Sequence, residues 1–158
     1  MHWQFTKPHG QEVREMPDTS EHSRDKYYWF TPITTRWMDN DVYGHVNNVV
    51  YYSWFDTIAN RYLIEEGGLD IHSGDTIGYI VHSQCSYSSP IAFPEEIEGG
   101  FRVNRLGNSS VEYGIAIFKK GQDEACAQGT FTHVFVGRED EKPVAIAGAM
   151  RTALEAAC

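Results

Sequence analysis

Residues 48–66 read NVVYYSWFDTIANRYLIEE, and this stretch decides the architecture. Tyr51, Trp54, Phe55, Ile58, Tyr62 and Leu63 recur at spacings of three and four, the period of an α-helix. Val50, Tyr52 and Ala59 widen the apolar surface beyond one stripe, and a helix apolar over most of its circumference is buried. Asn47 or Asn48 is a fitting N-cap, and Gly67-Gly68 a fitting stop.

Outward from this helix the period changes. Upstream, residues 27–37 read as a first strand, with Pro32 suited to a strand start or edge. Downstream, residues 77–89, 96–106, 111–119 and 125–136 are β-branched, aromatic and alternating, and glycine or proline separates them. Phe131, His133 and Phe135 share one face of the last of these. The spacing predicts an antiparallel meander, and residues 145–157 a short closing helix. One buried helix against one curled antiparallel sheet of about five to six strands is an α+β arrangement. Residues 1–26 are polar and lack apolar periodicity, so they read as a flexible lead before a single domain at 27–158.

Composition narrows the function. The chain has 158 residues, enough for one domain, and is 41% hydrophobic. The net charge of -9 argues against nucleic acid as a partner. Residues 37–101 hold ten acids and one base, whereas residues 102–158 hold seven of each, so an anionic ligand must lean on the second half. No apolar run is long enough for a membrane span, and the N-terminus lacks the apolar core of a signal peptide; a cytoplasmic location is expected. Three cysteines without a Cys-x-x-Cys pair argue against a disulfide framework or zinc cluster. The seven histidines show no metal-site spacing, and His133 and His82 read as core or interface residues.

The densest chemistry lies in residues 36–48, RWMDNDVYGHVNN, between a strand and the start of the buried helix. A helix N-terminus presents unpaired N–H groups that can polarise a carbonyl oxygen. A nearby carboxylate can act on that carbonyl as base or nucleophile. Asp and Asn are equally ordinary helix caps, and on the residues alone both readings stand.

This pattern, Asp39-x-Asp41-x-x-Gly44-His45-Val46-Asn47-Asn48 running on through Tyr51 and Trp54-Phe55-Asp56 to Arg61, resembles the hotdog-fold acyl-CoA thioesterases, in particular the 4-hydroxybenzoyl-CoA thioesterase-like branch. Tyr87-x-x-Pro90-Ile91, Arg105-x-Gly107-x-Ser109-Ser110 and Phe131-x-His133 follow in the family's order. The resemblance implies a long helix wrapped by the sheet, pairing into homodimers or homotetramers, and an active site near the helix N-terminus at the dimer interface. It implies Asp41 as the catalytic carboxylate and Asn48 as a second polar group in the site. Gly44, His45, Val46, Asn47, Tyr51, Ser109 and Ser110 would bind substrate, with backbone N–H groups around 46–48 polarising the thioester carbonyl. Arg102, Arg105, Lys119 and Lys120 are the cations available for CoA phosphates. The substrate would be an acyl-CoA, with no cofactor and no metal required. A non-catalytic acyl-CoA-binding module and a dehydratase or hydratase of the same fold stay open as alternatives.

Overall fold

The computed structural model describes residues 19–158. Five strands and two helices follow in the order β1 (Trp29–Ile33), α1 (Asn48–Glu65), β2 (Thr76–Tyr87), β3 (Ile97–Leu106), β4 (Ser110–Lys119), β5 (Ala127–Gly137) and α2 (Gly148–Ala156). All strand pairs are antiparallel, in the spatial order β1-β3-β4-β5-β2. The expected meander therefore holds only for β3-β4-β5. β2 crosses to the far edge beside β5, a non-local pairing that no local sequence period encodes.

α1 lies along one face of the curled sheet. Tyr51, Trp54, Phe55, Ile58, Ala59, Tyr62 and Leu63 are buried, whereas Val49 and Ile64 face outward, so the helix is buried on one side rather than all round. Two glycines make its seat. A Cβ on Gly99 would collide with Ile58, and one on Gly129 with the Phe55 ring and the Gln84 carbonyl. Aromatic contacts lock the seat further: Tyr62 stacks on Phe101 at 4.2 Å, and Phe55 meets Phe131 edge-on at 5.6 Å. Asn47 caps α1 by accepting from Val49 N–H at 3.1 Å. Gly68, at φ +70°, ends the run beyond Glu65 in a conformation L side chains rarely adopt.

Several expectations need correction. The first strand ends at Ile33, and Trp37–Asp39 form a 3-10 turn instead of continuing it. His82 is exposed, because it stands on the outer edge strand, while His133 is buried in the core. The last residues of the expected loose lead are structured: Thr19–His22 and Arg24–Lys26 form 3-10 turns. Arg24 pairs with Glu98 at 2.9 Å and sits 5.0 Å from the rings of both Phe30 and Phe118. Arg102 lies 4.6 Å over the Tyr27 ring. Residues 1–18 of that lead lie outside the described residues.

Inside the core, Tyr113 Oη and His133 Nδ1 are 3.1 Å apart. Burial pushes the imidazole of His133 down to about 4, so the folded protein holds it neutral. Below the unfolded value of 6.5 the unfolded chain binds this proton first, and stability falls with pH until about 4, where the loss levels off. Replacing His133 with Gln, which keeps a hydrogen-bonding partner for Tyr113, is expected to flatten this component. The unfolding free energy of wild type minus that of the variant, measured by denaturant titration, should drop by about 3 kcal/mol between pH 7 and pH 4.

Candidate active site

The loop between β1 and α1 is tied down by its own polar groups. Asp39 is completely buried, and its carboxylate is spent: Oδ1 accepts from Arg36 Nε at 3.0 Å and Nη2 at 2.8 Å, and Oδ2 accepts from Arg36 N–H at 2.8 Å. The Asp39 carbonyl accepts from Asn47 N–H at 2.9 Å. Asn40 Oδ1 accepts from Phe93 N–H at 3.0 Å, and Val46 N–H donates to the Ile91 carbonyl at 2.8 Å. These bonds fasten the loop to the start of α1 on one side and to residues 91–93 on the other.

Within this frame Asp41 opens a tight turn. Its N–H donates to the His45 carbonyl at 2.8 Å, and Gly44 N–H donates back to the Asp41 carbonyl at 3.1 Å. Gly44 sits at φ +82° with open space around it, so the backbone dihedral is what calls for glycine there. One carboxylate oxygen of Asp41 accepts from Tyr43 N–H at 2.8 Å. Among the described residues nothing engages the other, and no cation pairs with this half-buried group. Of the loop's two acids, then, Asp39 is structural and Asp41 is available.

The expected N–H donors divide in the same way. Val46 and Asn47 have spent theirs on Ile91 and Asp39, and the Asn47 side chain is spent as the cap. Asn48, the first residue of α1, has no acceptor for its N–H among the described residues. A cavity of about 270 Å3 opens beside it, lined by His45, Val46, Asn48, Tyr51, Tyr87, Ser88, Ser89 and Pro90. Tyr87 reaches across from the end of β2, and its hydroxyl donates to the Asn48 carbonyl at 2.8 Å. Burial, with Cys85 nearby, holds that hydroxyl well above the ordinary phenol range, so it stays a donor. Burial likewise pushes the Cys85 thiol up to about 11, which leaves it protonated and a poor nucleophile near neutral pH.

Of the expected residues, His45, Val46, Asn48 and Tyr51 line this cavity; Asp41, Gly44 and Asn47 lie on the adjoining loop outside its lining, and others stand farther off. Tyr87, Ala127 and Ile117 form one row across the sheet, and the α1 N-terminus sits at that row. Ser110 pairs with Val134, seven residues along β4 and so roughly 23 Å away. Ser109 and Ser110 therefore lie at the opposite end of the same protomer. The four basic candidates do not form a cluster either. Lys119 pairs with Glu95 at 2.8 Å and Lys120 with Glu96 at 3.1 Å, at one end of the sheet. Arg102 is held by Tyr27, Asn104 and the carbonyls of Glu21 and Lys26. Arg105, which has no ion pair among the described residues, stands near the other end, opposite Glu112. Tyr87, Asn40 and the Arg36–Asp39 pair received no role from the sequence. Only the i, i+3 spacing of Arg36 and Asp39 hinted at one.

A long helix seated in a curled five-stranded antiparallel sheet, with this loop at the helix N-terminus, defines the hotdog class. The thioesterase superfamily matches residues 43–126, which hold α1, β2, β3 and β4 and begin two residues after Asp41, and the chain belongs to that family. Its fold is shared with the PA5185 protein of Pseudomonas aeruginosa, 59% identical, covering 86% of this chain and 95% of that one at a TM-score of 0.84. A 1,4-dihydroxy-2-naphthoyl-CoA thioesterase from Synechocystis, 16% identical, covers 79% of this chain and 93% of its own at 0.70. An uncharacterized Bacillus subtilis protein, YsmA, is 22% identical over 121 residues, 77% of this chain and 81% of its own. No helix among the described residues is long and apolar enough to cross a membrane.

Because Asp39 is buried and fully bonded, Asp39→Asn should not behave as a silent neighbour of Asp41. One oxygen becomes an amide nitrogen facing donors, which is expected to cost about 2 kcal/mol. A thermal melt should show the midpoint lowered by roughly 4–8 °C.

Proposed function

We propose that the chain hydrolyses an acyl-CoA thioester at the cavity beside the α1 N-terminus, with Asp41 as its working carboxylate. The observation that carries this reading is the contrast within the loop. Asp39 has both oxygens committed, whereas among the described residues Asp41 keeps one unengaged, on a turn fastened next to a helix N-terminus where the Asn48 N–H likewise has no acceptor. The coenzyme A carrier is supported by the Synechocystis fold relative that acts on a naphthoyl-CoA.

The chemistry needs little more. Asn48 N–H, at the positive end of the helix dipole, donates to the thioester carbonyl and to the oxyanion that forms from it. Asp41 either takes a proton from the attacking water or attacks the carbonyl itself. The first route gives a tetrahedral intermediate directly, and the second an acyl anhydride that water then opens. Both routes start from the Asp41 carboxylate, and in both, collapse of a tetrahedral intermediate expels the CoA sulfur, which takes up the proton that Asp41 removed from water in the first route and one from solvent in the second. The Asn48 side chain, an amide, orients water or the carbonyl without exchanging a proton.

Assembly of the site is read as oligomeric. β2 is a twelve-residue outer strand carrying Tyr79, Ile80 and Val81 exposed, and an apolar edge of that length invites pairing with a second copy. The loop beside Asp41 also turns Trp37, Met38, Val42 and Tyr43 outward, with Val42 94% exposed. A partner subunit covering both would enclose the cavity.

Two outcomes are expected. Asp41→Asn should cut kcat for thiol release at least a hundredfold, with KM little changed and the melting temperature preserved. Asp75→Asn, on an exposed residue far from the loop, serves as the matched charge control. Near-normal turnover in Asp41→Asn rejects the assignment. Val81→Lys, which places a charge on the outer edge, should shift the light-scattering mass from a multiple of 18.0 kDa towards 18.0 kDa itself. An unchanged mass removes β2 from the interface.

A further inference from the structure

On the reading that the thioester sits in the cavity beside Asn48, we propose that His45 is the group that protonates the leaving sulfur. The carboxylate and the acid of the reaction then stand as a closing pair on one turn. Gly44 N–H donates to the Asp41 carbonyl at 3.1 Å, Asp41 N–H donates to the His45 carbonyl at 2.8 Å, and Asn40 and Val46 bridge antiparallel just outside. With Gly44 at φ +82°, this is a three-residue hairpin loop that ends in a glycine bulge. Asp41 and His45 close it. Directly opposed residues present their side chains on one face, with Cβ atoms about 5 Å apart. Both members of the pair are half-buried, whereas Val42, Tyr43 and Gly44 between them are exposed.

The pair divides the work. His45 lines the cavity and Asp41 does not. Among the described residues no hydrogen bond or ion pair engages the His45 ring. Glu95 lies near it. Burial raises the Glu95 carboxyl, but bonds from Lys119 at 2.8 Å and Ala92 N–H at 2.9 Å, with the positive charges of Lys119 and His45, hold it below the ordinary range. An imidazolium at 45 is thus flanked by two carboxylates, Asp41 and Glu95. With the carbonyl oxygen on Asn48 N–H, the sulfur, one bond from the carbonyl carbon, lies in the same hollow. Imidazole gives and takes a proton near neutral pH. The hydroxyls in the lining, on Tyr51, Tyr87, Ser88 and Ser89, are far weaker acids, and burial raises the two phenols further. In the first route water gives a proton to Asp41, and the resulting acid passes it to a nitrogen of the His45 ring. As the C–S bond breaks, its electron pair leaves with sulfur and the imidazolium proton moves onto it. Free thiol departs and His45 is neutral again. In the second route Asp41 is held in the anhydride, and His45 brings the sulfur a proton taken from solvent.

The leaving group separates this role from a structural one. An alkyl thiol such as CoA leaves readily only when protonated, whereas para-nitrothiophenol leaves as a stabilised thiolate that needs no acid. Thiol release would be measured with hexanoyl and benzoyl esters of each thiol, for wild type, His45→Gln, His45→Ala and Asp41→Asn. His45→Gln keeps a planar polar side chain that cannot carry a proton near neutral pH. It should lower kcat/KM roughly a hundredfold for the CoA esters, the scale of acid–base catalysis, and less than about threefold for the nitrothiophenyl esters. Asp41→Asn should lower both kinds alike, because attack on the carbonyl precedes departure of either thiol. Added imidazole should restore CoA-ester turnover to His45→Ala by roughly tenfold or more. A merely structural role cannot produce this pattern, because loss of folded protein scales esters of one acyl group equally. Equal losses on the two kinds of ester, or near-normal CoA-ester turnover in His45→Gln, overturn the role of His45 while leaving thioester hydrolysis intact. Where wild type accepts the CoA esters alone, rescue decides, and no restoration by imidazole overturns the role. A wild type that releases thiol from none of the four esters overturns both.

Discussion

The seat of α1 on the sheet is the constraint from which the rest follows. Where a β-sheet normally presents side chains, Gly99 and Gly129 present none, and Ile58 and Phe55 occupy the space. Two fixed points along a helix set both its direction and its register. With Ile58 over β3 and Phe55 over β5, the first turn of α1 must arrive at the row of Tyr87, Ala127 and Ile117. The loop that precedes the helix then has a fixed end. Its remaining freedom is removed by the Asp39 carboxylate, by the Asn40 amide and by Val46 N–H. The candidate chemistry is presented by backbone that packing and hydrogen bonds have already immobilised, as a preorganised site requires.

Polarity in this loop runs opposite to expectation for a surface segment. The charged Asp39 points in and is satisfied by Arg36, while Trp37, Met38, Val42 and Tyr43 point out. Burying the acid is tolerable because three donors meet its two oxygens. Turning apolar groups outward around Asp41 leaves a surface suited to contact with another apolar surface.

Much of the fold was legible in the chain. α1 follows from its three-and-four spacing to within a residue of its C-terminal end, β2 from its β-branched and aromatic content, and β3 to β5 from alternation or a shared apolar face, because these are local properties. Strand order was not legible, since β2 bonds to β5 across forty residues or more of sequence. At the candidate site the polar loop ahead of α1 was legible, but the engagement of its side chains was not. Asp39 and Asp41 are the same residue in the same polar run, and apart from the family resemblance only burial and Arg36 distinguish them. The surroundings of two basic candidates were hidden for a similar reason: Glu95 and Glu96 pair with Lys119 and Lys120 across a sequence distance that no local pattern reveals. Tyr87 gained its place from a hydrogen bond to a residue thirty-nine positions away.

The central claim is that the thioester carbonyl lies at the α1 N-terminus rather than in a roomier hollow. A cavity of about 450 Å3 lined by Pro32–Thr35 and Phe93–Glu98 is the natural competitor. Titrating a non-hydrolysable ketone analogue of benzoyl-CoA into isotope-labelled protein, with amide shifts followed by NMR, addresses it directly. A large downfield shift of the Asn48 amide proton is expected, with smaller shifts at His45 and residues 87–89. Shifts concentrated at residues 32–35 and 95–98, with Asn48 unmoved, would contradict it.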